Sequence, residues 1–368
     1  MTAIRRLPWP FLFLFVGTAI ANLGPFSTIR PSSSLVLVAF LPVLLFDAGF
    51  SLDPTAVRRE IQWIALFGLA GALLAAAIAF LLLSALGFER NQALILSAVL
   101  AATDPVAVFA VLRPLATRPR LRLTLEGESL VNDGVAVVLT TMALTIVSTE
   151  EVRPADLTVL FLRLTGVGLA VGAVLGALGR PALRRLPAPA AIVFTIGMAY
   201  AGYLAAERLG GSGLLAVIAI ALVLATARSE LVDDPLHRFW RAAGSAMAAA
   251  VFLLMGLQAH AGAVIGAGWR LSLLLFVMLG ARAFMVLLVT RVAPRLWPWP
   301  WRAALTWAGL RGALSLALAL SVPVQIRGRE QVLALVFGFV LVVIAVQGFS
   351  LAPVFRRLGV ADVPTRQS

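Results

Sequence analysis

Ala101-Ala102-Thr103-Asp104-Pro105-Val106-Ala107-Val108 sets a charge and a helix breaker into a stretch that is otherwise apolar enough to span a membrane. An ionisable side chain near the bilayer centre costs about 3 kcal/mol on insertion scales, so it needs a partner, a water-filled cavity or a role. The proline that follows lacks a backbone donor and disfavours helical geometry at the aspartate itself. The helix is therefore expected to break at Asp104, and a broken helix with a carboxylate at mid-membrane reads as an ion site.

The rest of the chain agrees with a membrane setting. Its 368 residues are 61% hydrophobic and 13% charged, outside the range of soluble domains. Without cysteine there is no disulfide and no thiolate metal site. Apolar windows of about 17 to 25 residues predict twelve helices, near 8–24, 34–52, 57–86, 91–112, 123–148, 156–179, 189–207, 212–227, 239–259, 269–292, 301–325 and 331–355. A net charge of +13 suggests nucleic acid at first sight, but the thirty basic residues, all arginine, form neither a block nor a stripe.

Their placement encodes topology instead. With twelve helices, twenty arginines fall on the side of the N-terminus, among them Arg5, Arg6, Arg58, Arg59, Arg118, Arg120, Arg122, Arg184, Arg185, Arg356 and Arg357. Seven fall opposite (Arg30, Arg90, Arg153, Arg208, Arg270, Arg327 and Arg329), and Arg163, Arg282 and Arg311 lie within helices. The positive-inside rule then puts both termini in the cytoplasm of a multi-pass inner-membrane protein. Arg5, Arg6 and the following apolar run up to Ala19-Ile20-Ala21 also fit a signal peptide, whose cleavage would leave the other eleven helices in the same orientation.

No long linker divides the chain. Asp53-Pro54 reads as an N-cap followed by proline at the first helical position. Gly168, Gly172 and Gly176 form a small-residue stripe suited to close helix contact.

A second polar cluster lies at Glu126-Gly127-Glu128-Ser129-Leu130-Val131-Asn132-Asp133-Gly134. On a helix Glu128 and Asn132 are four apart, as are Ser129 and Asp133, so adjacent stripes carry all four groups on a face that cannot look at lipid. Arg282 and Arg311 lie deep in the tenth and eleventh helices and stay charged at any reachable pH. The acids available at depth are Asp47, Asp104, Glu128 and Asp133. If two arginines neutralise two of them, about two remain to exchange a cation for a proton.

These segments resemble the monovalent cation:proton antiporter-1 family of bacterial sodium/proton antiporters. The matching stretches are Leu41-Pro42-Val43-Leu44-Leu45-Phe46-Asp47-Ala48-Gly49-Phe50, Thr103-Asp104-Pro105, Glu128-Ser129-Leu130-Val131-Asn132-Asp133, Arg282 and Gly309-Leu310-Arg311-Gly312-Ala313-Leu314-Ser315, in family order across residues 8 to 357. The resemblance implies that Asp133 binds either sodium or a proton. Asp104 and Thr103 would line the crossing of two broken helices, Ser129 would give an oxygen to the cation, and Asn132 would organise the site. Glu128 and Arg282 would form a buried structural ion pair, and Arg311 would support the crossing. The family usually has glutamate where this chain has Asp47, one methylene shorter, and many members have thirteen helices. A chain with twelve is then either naturally short or starts upstream.

The fold so implied is all-α: inverted repeats with two crossed broken helices, a scaffold of about 1–52 and 189–260, a linking helix of about 156–180, and a moving core of about 57–149 and 269–357. Alternating exposure of the site would follow from movement of the core past a dimer-forming scaffold, with Asp47 facing the site from the scaffold. Hard cations take oxygen ligands. A desolvated Asp133 with no permanent positive neighbour lets protons compete with sodium, and because Asn132 cannot ionise, the resemblance implies one-for-one, electroneutral antiport. Sodium and protons are then transported substrates, and no cofactor, nucleic acid or enzymatic activity is expected. A potassium/proton exchanger, a sodium-coupled transporter of another solute, and an intramembrane aspartyl protease are the alternatives.

Overall fold

The computed structural model describes residues 9–23, 35–104, 108, 115–149, 152–227, 235–258 and 261–362. Pro105 and the end of the expected fourth helix lie outside them, as do Arg5, Arg6, Arg30 and His260.

The first helix, α1, covers Trp9–Leu23. α2 covers Leu41–Phe50 and is entered through a π-helical turn, Leu35–Phe40. α3 runs through Pro54–Ala85 with a π-helical turn at Leu66–Gly71. Its start is fixed by the Asp53 side chain, which accepts from the Thr55 amide at 2.8 Å and so satisfies one of the free donors of the first turn. The Thr55 hydroxyl and amide together hold the Asp53 carboxyl below its ordinary pKa. α4 is Arg90–Val99, α5 Pro119–Ser148, α6 Pro154–Arg185, α7 Ala188–Arg208 and α8 Gly213–Ala225, the last capped by Ser212. α9 is Pro235–Gln258, α10 Ala261–Thr290, α11 Trp299–Trp307, α12 Ala313–Leu320 and α13 Arg329–Arg357.

One expected span is met and another is corrected. The tenth span begins at Gly268, within a residue of the expected start, and the φ of 51° and ψ of −136° there separate it from a short helical stretch before it. Only glycine visits that backbone region readily. The eleventh span, expected as one helix over 301–325, is two short helices separated by the non-helical residues Ala308 to Gly312. The fold is all-α as expected, with one two-residue antiparallel pairing between β1, Ala116–Thr117, and β2, Ala361–Asp362, among the described residues.

The two helix breaks solve one problem together. Non-helical backbone at membrane depth must find its hydrogen bonds inside the protein. The Asp104 amide donates to the Leu310 carbonyl at 2.8 Å, so the break after α4 and the break between α11 and α12 cross and bond to each other.

Packing falls into two groups. α1, α2, α6, α7, α8 and α9 pack mainly among themselves, with α1 against α9 and α6 against α8. α3, α4, α5, α10, α12 and α13 form the other group. The glycine stripe works as expected: a Cβ on Gly168 would stand 2.6 Å from the Ser212 carbonyl, and one on Gly176 would stand 2.9 Å from the Val223 Cβ. Val159, Leu162, Val174, Leu178, Val193 and Phe276 are 58–75% exposed. On a multi-pass protein these apolar faces belong against lipid.

Candidate cation site

Where the breaks cross, a small cavity with a free volume of about 20 Å³ opens between the two helix groups. That is room for about one water molecule or one dehydrated ion. Its polar lining is Thr103, Asp104, Asp133 and Ser315; Leu41, Leu44 and Leu45 of α2 and Ala248 and Phe252 of α9 close the other side.

Each polar group is positioned by its element. Asp133 sits midway along α5 at 4% exposure, and its Oδ1 has no hydrogen-bond partner among the described residues. Asp104 is buried in the first break, where its Oδ2 accepts from the Ala313 amide at 3.3 Å. It thereby caps the N-terminus of α12, where the helix dipole favours a negative charge. Gly312 makes this approach possible, because a Cβ there would collide with the Asp104 carboxylate. Ser315, in the first turn of α12, is fully buried and its hydroxyl has no partner.

Ser129 and Asn132 stand behind Thr103 rather than in the cavity. The Thr103 hydroxyl donates to Ser129 Oγ at 3.0 Å, and Asn132 Nδ2 donates to Thr103 Oγ1 at 3.3 Å. Ser129 and Asn132 thus both bond to Thr103, and neither lines the cavity to which the sequence assigned the Ser129 oxygen. Asp47 is placed elsewhere as well. Its carboxylate lies against Gly244 of α9 and accepts from the Ser51 hydroxyl at 3.2 Å, outside the cavity lining.

The Glu128–Arg282 pair is fully formed. Arg282 Nη1 contacts Glu128 Oε1, and Nη2 donates to Oε2 at 2.8 Å. Nη2 also donates to the Leu305 carbonyl at 3.0 Å. With side chains at 5% and 1% exposure, the pair ties α5 to α10 and α11. Arg311, buried at 3% exposure, faces a separate cavity of about 160 Å³ that Arg282, Thr306 and Gln347 also line. Arg311 directly precedes Gly312, which lines the cation cavity. Ser315 received no role from the sequence. The signal was its position just after a glycine-flanked break, where side chains of a half-helix point into the crossing.

The chemistry on offer is a pair of buried carboxylates and two hydroxyls around a volume of one ion, with a fixed cation nearby. This set suits a hard cation that must compete with a proton. The sequence profile described as "Sodium/hydrogen exchanger, transmembrane" matches residues 1–357. The Na(+)/H(+) antiporter ApNhaP of Aphanothece halophytica is 32% identical over 367 residues, covering 96% of this chain and 70% of that protein. The Na(+)/H(+) antiporter NhaG of Bacillus atrophaeus is 30% identical over 376 residues, covering 96% and 71%. In fold, the chain superposes on the sodium proton antiporter MjNhaP1 of Methanocaldococcus jannaschii with a TM-score of 0.77 at 19% identity, covering 95% of this chain and 92% of that one.

Crossed broken helices around a buried aspartate define a secondary transporter of the antiporter class. The chain belongs to the sodium/hydrogen exchanger family.

Proposed function

We propose that the protein exchanges sodium for protons across the inner membrane, with Asp133 as the carboxylate both substrates share. The observation that carries this reading is the buried, unpartnered Asp133 Oδ1 in a cavity sized for one ion, at the crossing of two interrupted helices. A sodium ion entering the cavity sheds water and takes oxygens from Asp133, Asp104, Thr103 and Ser315. A proton on Asp133 removes the negative charge that holds the ion, so the two cannot occupy the site together. Loading one therefore unloads the other, and competition at one carboxylate suffices for antiport.

Arg311 offsets one carboxylate charge, and Glu128 and Arg282 cancel each other. The cavity then carries about one negative charge to be answered by either substrate, which supports electroneutral, one-for-one exchange. The cavity wall supports the mode of access. One side comes from α2 and α9, the other from α5 and the crossing. A rigid shift of the core, α3 to α5 with α10 to α13, past the scaffold α1, α2 and α7 to α9 would open the site first to one side and then to the other. α6 links the two, the scaffold forms a homodimer, and both termini face the cytoplasm, where the arginine-rich loops lie.

Everted membrane vesicles test the reading. Sodium added to vesicles holding an imposed pH gradient is expected to dissipate it, and Asp133→Asn should abolish the response. Full exchange by that variant would refute the assignment. Dissipation by potassium and not by sodium would replace the cation.

A further inference from the structure

At the N-terminal ends of α5 and α11 is an open hollow of about 450 Å³, lined by Arg118, Arg120, Arg295, Pro298, Trp301 and Val360. It shares no residue with the cation cavity. Arg118 and Arg295 are exposed, and their side chains make no hydrogen bond or ion pair among the described residues. Arg120 is held by Nε to Glu60 at 2.9 Å and stacks over Trp297 at 5.2 Å. Three guanidinium groups thus face one hollow, with Glu60 the one carboxylate paired to them among the described residues, and an anion among them would relieve their mutual repulsion. Two helix starts add to the field. α5 opens at Pro119 behind Arg118 and α11 at Trp299 behind Pro298, and neither has a side-chain cap, so the positive ends of both helix dipoles lie beside the hollow.

We propose that this hollow binds the phosphate of an anionic phospholipid headgroup. Arginine's planar fork suits phosphate oxygens, and the volume accommodates a phosphodiester with its glycerol. Trp301 lines the hollow with the arginines, and Trp299, two residues before it, is 66% exposed; tryptophans of this kind mark the boundary between bilayer and water, where headgroups lie. The bound headgroup would join the start of α5, the helix of Asp133, to the start of α11, which leads into the second break, and to the segment Leu358 to Val360. The inference rests on the membrane location alone and holds whatever cation is transported.

Native mass spectrometry of the purified full-length protein tests it, with phosphatidylglycerol and phosphatidylcholine of equal chain length as probes. The wild type is expected to retain phosphatidylglycerol in preference, and the double variant Arg118→Gln/Arg295→Gln should lose about tenfold or more of that preference. Arg291→Gln, a nearby arginine outside the hollow, should keep it, and Arg295→Lys should lose less than Arg295→Gln. An unchanged preference in a double variant that melts at the wild-type temperature would overturn the proposal. So would inorganic phosphate that binds the wild type and not the double variant while phosphatidylglycerol shows no preference, since the site would then take a soluble phosphate.

Discussion

Residue identities around the crossing carry most of the chemistry. Asp133 and Asp104 are both aspartates at membrane depth, but their surroundings separate them: Asp104 accepts from the Ala313 amide, whereas Asp133 Oδ1 accepts from nothing. Ser315→Ala removes one neutral ligand and leaves the carboxylates in place. It is expected to raise the half-saturating sodium concentration about tenfold, equivalent to about 1.4 kcal/mol, with little change in the maximal rate; initial rates against sodium concentration check this. Gly312→Ala places a Cβ where the Asp104 carboxylate lies. Exchange should fall sharply while the purified protein remains folded, as read by gel filtration and thermal stability. Glu128→Gln strips the charge from one half of the buried pair and leaves Arg282 without its counter-ion. Breaking a buried pair costs about 3 to 5 kcal/mol, so the variant should melt well below the wild type, and Glu128→Asp should recover part of the loss.

Among the elements, the break after α4 was legible because Asp104 is followed by Pro105, two independent reasons to stop a helix. The break between α11 and α12 was not legible from pattern alone. Its markers are Gly309 and Gly312, and glycine is common in membrane helices for packing reasons, so the apolar run 301–325 read as continuous. Direction was the other blind spot. Spacing placed Asp47 on a membrane helix but could not say that its carboxylate would turn to Gly244 and Ser51. The start of α3 was legible, since Asp53-Pro54 has the chemistry of a cap. Asp53→Ala should cost about 1 kcal/mol of stability at neutral pH. Because the Asp53 pKa is lowered on folding, this contribution is full above about pH 4, the unfolded-chain value. It is lost as the pH falls through the lower folded value, so the melting difference between wild type and variant should close in acid.

On the scale of the whole molecule, composition and arginine placement predicted a multi-pass chain with twelve spans, and the described helices occupy those spans in order. What no window could reveal is the relation between distant segments, such as Asp104 bonding to Leu310 across the membrane interior, or α2 and α9 closing the cavity opposite α5. Those contacts make a wall with two sides belonging to different helix groups, which is the geometry a moving carrier needs. The central claim is that one carboxylate, Asp133, holds either the cation or the proton. Proton release on sodium binding tests it most directly, with purified protein in weakly buffered solution near the midpoint of activity. Sodium is expected to displace up to one proton per site in the wild type and none in Asp133→Asn. Saturating sodium binding with no proton released, or undiminished release from the variant, would contradict it.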